Sequence, residues 1–282
     1  MQFLKPTSET YIFDGTPVAE ALRRTTHLGI AAHQDDIEIM ALEGILACFG
    51  REDRWFSCAI VTDGAGSARD GIYADFSDAD MMKIRRQEQK KAAIIGEYSA
   101  CAFLNYPSRE IKDASQSGPV ADLLALLEAC SPEVVYLHNL CDKHDTHVAV
   151  TLRAIAALRQ LPAAKRPRKL YGCEVWRDLD WLSDSDKVVF NCSGHENVAA
   201  ALLGVFDSQI AGGKRYDLAT LGRRRANATY FQSHSVDAAE QINFGMDLTP
   251  LLADDSIDPL EFAAAHIRRF EQDVRERLSK LR

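Results

Sequence analysis

The sequence predicts an α/β fold: a mostly parallel sheet with helices on both faces, followed by a mainly helical C-terminal extension. Three observations point to it. From Thr26 to about Leu161, short apolar runs alternate with longer helical patterns, which is the sequence form of repeated strand–helix–strand units. The 282 residues are 46% hydrophobic and 26% charged, an ordinary balance for a chain that buries a large core. Finally, the first and fourth apolar runs both end in clusters of His, Asp and Glu, and the carboxyl edge of such a sheet is where ligands bind.

The expected strands are 27–33, 55–62, 100–106 and 133–138, with 169–176 and 187–192 after them. Between the first two, Ile39, Leu42, Ile45, Leu46 and Phe49 form a helical stripe over 38–49. Met81, Ile84, Ile94 and Ile95 do the same over 80–95. Gly118–Pro119 opens a helix over 119–129 that Ser131–Pro132 ends, because proline disfavours helical geometry in the residue before it. A fourth helix runs over about 146–161. The segment LPAAKRPR, 161–168, reads as a surface connection. Beyond it, helices are expected near 196–210, 216–233 and 259–281, the last with a solvated charged face and packed by Phe270, Val274 and Leu278. Together these make a Rossmann-like arrangement read as a single domain over 1–282, with its core at about 26–193 and a helical part at about 194–282.

Charge narrows the function. Against 33 Lys and Arg stand 41 Asp and Glu, a formal net charge of −8, so a nucleic-acid surface is not expected. The longest apolar runs, such as Val198–Phe206, fall far short of the ~20 residues that span a bilayer, so no membrane partner is expected either. The opening MQFLKPTSETYIFDG has no basic segment followed by an apolar stretch, and the cytoplasm is the expected compartment. Seven widely spaced cysteines without a C-x-x-C pair read as buried free thiols. The apolar faces of the C-terminal helices suit either packing on the sheet or pairing in a homo-oligomer.

The chemistry lies in AHQDDIE and DKHDTH. In the first, His33, Asp35, Asp36 and Glu38 leave a strand end together, and adjacent carboxylates there are costly unless a cation or solvent offsets them. A helix N-cap explains one or two of the carboxylates but needs no histidine. In the second, His138, Asp142, His144, Asp145 and His147 emerge at the end of another parallel strand. Two histidines and one aspartate drawn from these loops supply the three N/O ligands of a mononuclear zinc hydrolase, with one position left for water. Taken singly, His27, His138, His195, His234 and His266 are more simply core or surface histidines.

These segments resemble the PIG-L/LmbE-like zinc N-deacetylases, in which the first reads A-H-P-D-D-x-E and the second D-x-H-P-D-H. The loop TDGAGSARDG and Arg85-Arg86-Gln87-Glu88 are also of that family's type, and DSQI at 207–210 extends the likeness more loosely. The resemblance implies that His33, Asp36 and His147 bind Zn2+, that Asp35 is the general base, and that His144 stabilises or protonates the tetrahedral intermediate. It implies that Arg85 reaches the acyl or sugar end of the substrate. Glu38, Asp142 and Asp145 are expected in supporting positions around the ligands. The implied substrate is a small N-acylated amino sugar or its conjugate, of the N-acetylglucosamine kind. Three positions depart from the pattern: Gln34 replaces a proline, and Asp145-Thr146 replaces a Pro-Asp pair whose aspartate would charge His144.

Two other readings compete. Gly64-Ala65-Gly66-Ser67 suggests a phosphate cradle in a nucleotide-binding or glycosyltransferase-like protein using magnesium, although no third glycine follows at dinucleotide spacing. A catalytically silent zinc-binding protein on the same scaffold is the other.

Overall fold

Strands form where the apolar runs lie. β1 (Glu9–Tyr11), β2 (His27–Ala31), β3 (Phe56–Thr62), β4 (Ala100–Tyr106), β5 (Val134–His138), β6 (Lys169–Cys173), β7 (Lys187–Asn191) and β8 (Ile242–Asp247) make one sheet in the computed structural model, which describes residues 1–282. The strand order is β1-β4-β3-β2-β5-β6-β8-β7. From β4 through β3, β2 and β5 to β6 the pairs are parallel, while β1 and β8 pair antiparallel with their neighbours. The strand order reverses between β2 and β5. That is the topological switch point, where α/β sheets open a ligand crevice.

Twelve helices connect and cover the sheet. α1 (Val18–Arg23), α2 (Asp36–Met40), α3 (Leu42–Cys48), α4 (Asp78–Ile95), α5 (Ser108–Lys112) and α6 (Gly118–Cys130) precede β5. α7 (Asp145–Gln160), α8 (Glu196–Gly204), α9 (Asp207–Ile210), α10 (Tyr216–Tyr230), α11 (Pro250–Ala253) and α12 (Pro259–Leu281) follow it. Local chemistry sets their ends. Ser77 and Asp80 form a reciprocal capping box at the start of α4, and Ser131 closes α6 in the left-handed region at φ 46° just before Pro132. One apolar cluster, including Leu22, Leu123, Leu126, Val150 and Leu251, fills one face of the sheet. The other, including Ile37, Ile45, Ala92 and Leu202, fills the opposite face. The doubly wound α/β architecture is therefore the expected one.

Several elements differ from the sequence reading. The helix expected over 38–49 is broken at Ala41 (φ −115°, ψ 24°) into α2 and α3, and that over 196–210 is broken into α8 and α9. The C-terminal part is not purely helical, because β8 returns into the sheet between β6 and β7. Its signal is short: only Ile242, Phe244 and Met246 alternate, and the fold rather than propensity selects the strand. Packing at the chain's end is also looser than expected, since Val274 and Leu278 of α12 remain 40% and 54% exposed. All seven cysteines are free, and all but Cys141 are buried. No helix is long and apolar enough to cross a membrane.

The approach of α3 to β5 makes a testable demand on Gly44. A Cβ there would lie 2.5 Å from Cε2 of Tyr136, whose hydroxyl is fixed by a 2.6 Å bond to Glu43 Oε2. Pinned at its far end, that ring cannot simply swing away. Gly44→Ala is expected to destabilise the fold by ~1–3 kcal/mol through overpacking, despite alanine's helix preference. The midpoint of urea unfolding measures it, and an unchanged or raised midpoint would show that the ring has room.

Candidate metal centre

β2 and β5 are neighbours in the sheet, so the segments that follow them converge. His33 lies just past β2, Asp35 and Asp36 open α2, and His144 and His147 sit at the start of α7. Three donor atoms meet there. His33 Nδ1 is 3.2 Å from His147 Nε2 and 3.3 Å from Asp36 Oδ2, and the latter two atoms are 3.4 Å apart. Ligands at the ~2.0–2.1 Å typical of zinc are separated by roughly 3.3 Å around a tetrahedron, so this triangle has the edges such an ion requires. Asp36 Oδ2 also accepts the His33 backbone N–H at 2.8 Å, which orients the carboxylate. The wider cluster includes His144 and His138.

Burial and charge act together on these groups. Burial pushes His33 down to about 4, against the pull of Asp36. Burial would raise Asp36, but the imidazoles of His147 and His138 hold it well below the usual carboxylate range. For His147, burial is outweighed by Asp36 and Asp142, which raise it. A carboxylate flanked by imidazoles is the donor set that a divalent cation takes, displacing any proton the imidazoles carry.

Around the triangle each expected residue has a definite place. Asp35 is buried with φ 89°, a left-handed conformation rare outside glycine, and its backbone N–H donates to Gln89 Oε1 at 3.3 Å. Burial raises its carboxyl well above the ordinary value, opposed by Arg85, whose Nη2 lies 4.0 Å away, while Asp36 and Glu38 add to the rise. Arg85 is itself tied down: Nη2 donates to Gln34 O at 3.0 Å and Nη1 to Gly64 O at 3.3 Å. The Gln34 side chain, standing where the sequence pattern favours proline, packs on Gly64, where φ is +80° and a Cβ would come within 2.4 Å of Gln34 Oε1. Only glycine suits that position. Glu38 is fully buried and touches no ligand. It accepts from Gln89 Nε2 at 2.7 Å and Tyr98 OH at 2.8 Å, and burial pushes it up to about 7.

The two aspartates of the second segment part company. Asp142 Oδ2 faces His147 Nδ1 at 3.4 Å and accepts the Val175 N–H at 3.1 Å, so it backs His147 rather than His144. Asp145, expected in a supporting position, is exposed as the first residue of α7 and has no hydrogen bond or ion pair with His144. That is the ordinary place for an acid at the positive end of a helix dipole. His144 caps α7 with its ring: Nδ1 accepts the Thr146 N–H at 3.3 Å, which leaves the proton on Nε2. Burial and the neighbouring His147 lower its pKa. His138 is fully buried, stacks on His147 with ring centroids 3.8 Å apart, and spends Nε2 on the Ala32 N–H at 2.9 Å. Cys141 is held as a neutral thiol, pushed up to about 11 by burial.

A pocket of about 160 Å³ opens above the triangle, lined by His33, Asp35, Asp36, Arg85, His144 and His147. Gly66, Ser67 and Ala68 of the TDGAGSARDG loop and Gln209 of DSQI line it too, and the rest of its wall, Ile39, Val175, Trp176, Lys214 and Tyr216, was not foreseen. Gln209 is carried there because Glu88 accepts both the N–H (2.7 Å) and the hydroxyl (2.6 Å) of Ser208 at the start of α9. The adjacency of Trp176 to a predicted strand end was a usable signal; for Lys214 and Tyr216 there was none. The Gly64–Ser67 loop runs into a single three-residue 3₁₀ turn at Gly71–Tyr73, so it lacks the following helix whose N-terminus a phosphate cradle uses.

The family model described as GlcNAc-PI de-N-acetylase, PIG-L, matches residues 28–158. No curated protein matches the sequence. Among solved structures, the conserved protein TT1542 from Thermus thermophilus superposes with a TM-score of 0.62 at 18% identity, covering 83% of this chain and 99% of that one. The N,N'-diacetylchitobiose deacetylase from Pyrococcus horikoshii gives 0.60 at 16% identity, covering 82% and 86%. The 4-carboxy-2-hydroxymuconate hydratase GalB from Pseudomonas putida gives 0.59 at 17%, covering 79% and 96%. These likenesses establish the fold. Since the same fold carries a deacetylase and a hydratase, the reaction has to be argued from the site.

Proposed function

We propose that the chain, whose residues 28–158 match the PIG-L family model, is a member of that family and a zinc-dependent hydrolase removing an N-acyl group, foremost acetyl, from an amino sugar or its conjugate in the cytoplasm. The observation that carries this reading is the triangle of His33 Nδ1, Asp36 Oδ2 and His147 Nε2 at the floor of a pocket. When bound there, zinc lowers the pKa of water and polarises a carbonyl. The protein supplies the rest. Asp35, beside Asp36 but outside the triangle, accepts the proton of the attacking water, and a cation held at Asp36 favours the ionised form that this requires. Arg85 keeps Asp35 facing the pocket. With Nδ1 occupied by the Thr146 N–H, His144 presents Nε2–H as a neutral donor to the oxygen on which charge develops. No carboxylate backs His144, so Asp35 also returns its proton to the departing amine.

The test is acetate release from a panel of N-acetylated sugars, beginning with N-acetylglucosamine and N,N'-diacetylchitobiose, with and without chelator. At least one substrate is expected to give acetate and free amine in equal amounts. Chelator should abolish the release and added zinc restore it. Zinc-loaded protein that releases nothing from any N-acyl sugar would overturn the proposal.

A further inference from the structure

α2 is one turn long, and its break has a cause 186 residues away in sequence. In an unbroken helix the carbonyls of Glu38 and Ile39 would accept the N–H groups of Leu42 and Glu43. The turn at Ala41 leaves both carbonyls to the side chains of α10 and β8. Arg224 Nη2 donates to Glu38 O at 2.6 Å and to Ile39 O at 3.1 Å, and Asn243 Nδ2 donates to Ile39 O at 3.1 Å. Arg224 Nε reaches Asn243 Oδ1 at 3.3 Å and joins the two.

This arrangement is costly by itself. Arg224 is 1% exposed and has no carboxylate partner; burial lowers its pKa to about 10, so it stays charged at neutral pH. A buried, uncompensated cation calls for a role that hydrogen bonding to carbonyls alone can fill. The role follows from Ile39. Its N–H donates to Asp35 O at 3.2 Å, while its C=O receives Arg224 and Asn243. A single residue thus separates the clamp from Asp35, the residue with φ 89°, and Asp36 follows in the same turn. Strained backbone persists only where its surroundings over-determine it.

We propose that Arg224 and Asn243 are positioning residues that hold the Ile39 carbonyl and thereby fix Asp35 for proton transfer and Asp36 for metal binding. The kinetic part of this inference rests on the deacetylase reading; the metal-binding part does not.

Asn243→Asp tests it with little change of shape. The carboxylate keeps an acceptor for Arg224 Nε and offers it an opposite charge, but loses the N–H that Ile39 O receives. A near-native unfolding midpoint is expected. Zinc affinity, measured by competition with a chelating dye, should fall roughly tenfold, and kcat should fall roughly 10–100-fold with KM little changed. In the Asp35→Asn background the same substitution should cause no further loss of kcat, because the residue through which it acts is already disabled. Asn243→Ser, whose hydroxyl is too short to reach Ile39 O, repeats the measurements if the aspartate variant does not fold. Unchanged zinc affinity and kcat, or losses that multiply with Asp35→Asn, overturn the proposal. If the wild-type chain binds zinc yet hydrolyses no N-acyl sugar, the deacetylase reading fails, and the clamp stands or falls on the zinc affinity alone.

Discussion

Asp35→Asn is expected to keep the metal and lose nearly all turnover. The amide fills the same buried space, and the backbone N–H that donates to Gln89 Oε1 is untouched, so the turn carrying Asp36 should hold its shape. The triangle of donors includes no atom of Asp35, and zinc content measured by elemental analysis should stay near one per chain. What disappears is the only carboxylate lining the pocket besides Asp36, and so the one placed to take a proton there and later give it back. Loss of a positioned acid or base costs about 10²–10⁴-fold. The upper end is expected here, because His144 has its Nδ1 committed to Thr146 and lacks a carboxylate to make it a stronger acid. Turnover of acetate release by the zinc-loaded variant measures this. Unchanged turnover would remove Asp35 from the mechanism.

That the two histidine- and aspartate-bearing segments were legible in sequence follows from how parallel sheets are built. Each segment is contiguous, 33–38 and 138–147, and each follows an apolar strand, so parallel pairing of β2 with β5 brings both to one edge. Asp142 and Asp145 were legible only as neighbours. Which histidine they serve depends on where side chains point at a helix start, and the fold gives Asp142 to His147 and leaves Asp145 in solvent. The pocket's outer wall was beyond reach for a different reason. Trp176, Gln209 and the Lys214–Tyr216 pair come from three stretches that meet only through tertiary packing, part of which depends on the buried Glu88–Ser208 pair. Arg224 shows the limit most clearly. In sequence it is one of three consecutive arginines in the helix expected over 216–233, with nothing to distinguish it from its neighbours; in the fold it is the one turned inward, with Arg225 left exposed.

His147→Ala is expected to have the largest effect of all, because this ring has three contacts at once. Its Nε2 is a corner of the donor triangle, its Nδ1 faces Asp142 at 3.4 Å, and its plane stacks on His138 at 3.8 Å. Truncation therefore removes one corner of the proposed metal triangle and also leaves Asp142 buried with backbone N–H partners but no imidazole. Two donors do not make a mononuclear zinc site, so stoichiometric zinc should be lost from the purified protein. Without it the several kcal/mol of charge stabilisation a metal gives are gone, a fall on the order of 10³-fold or more at tenfold per ~1.4 kcal/mol. His147→Gln separates the two losses: an amide can still accept from or donate to its neighbours but is a poor zinc ligand, so it should restore much of the stability lost in the alanine variant without restoring zinc. Full zinc occupancy in His147→Ala would show that the ligand set is wrong, and His138 or His144, both within the same cluster, would then have to take its place.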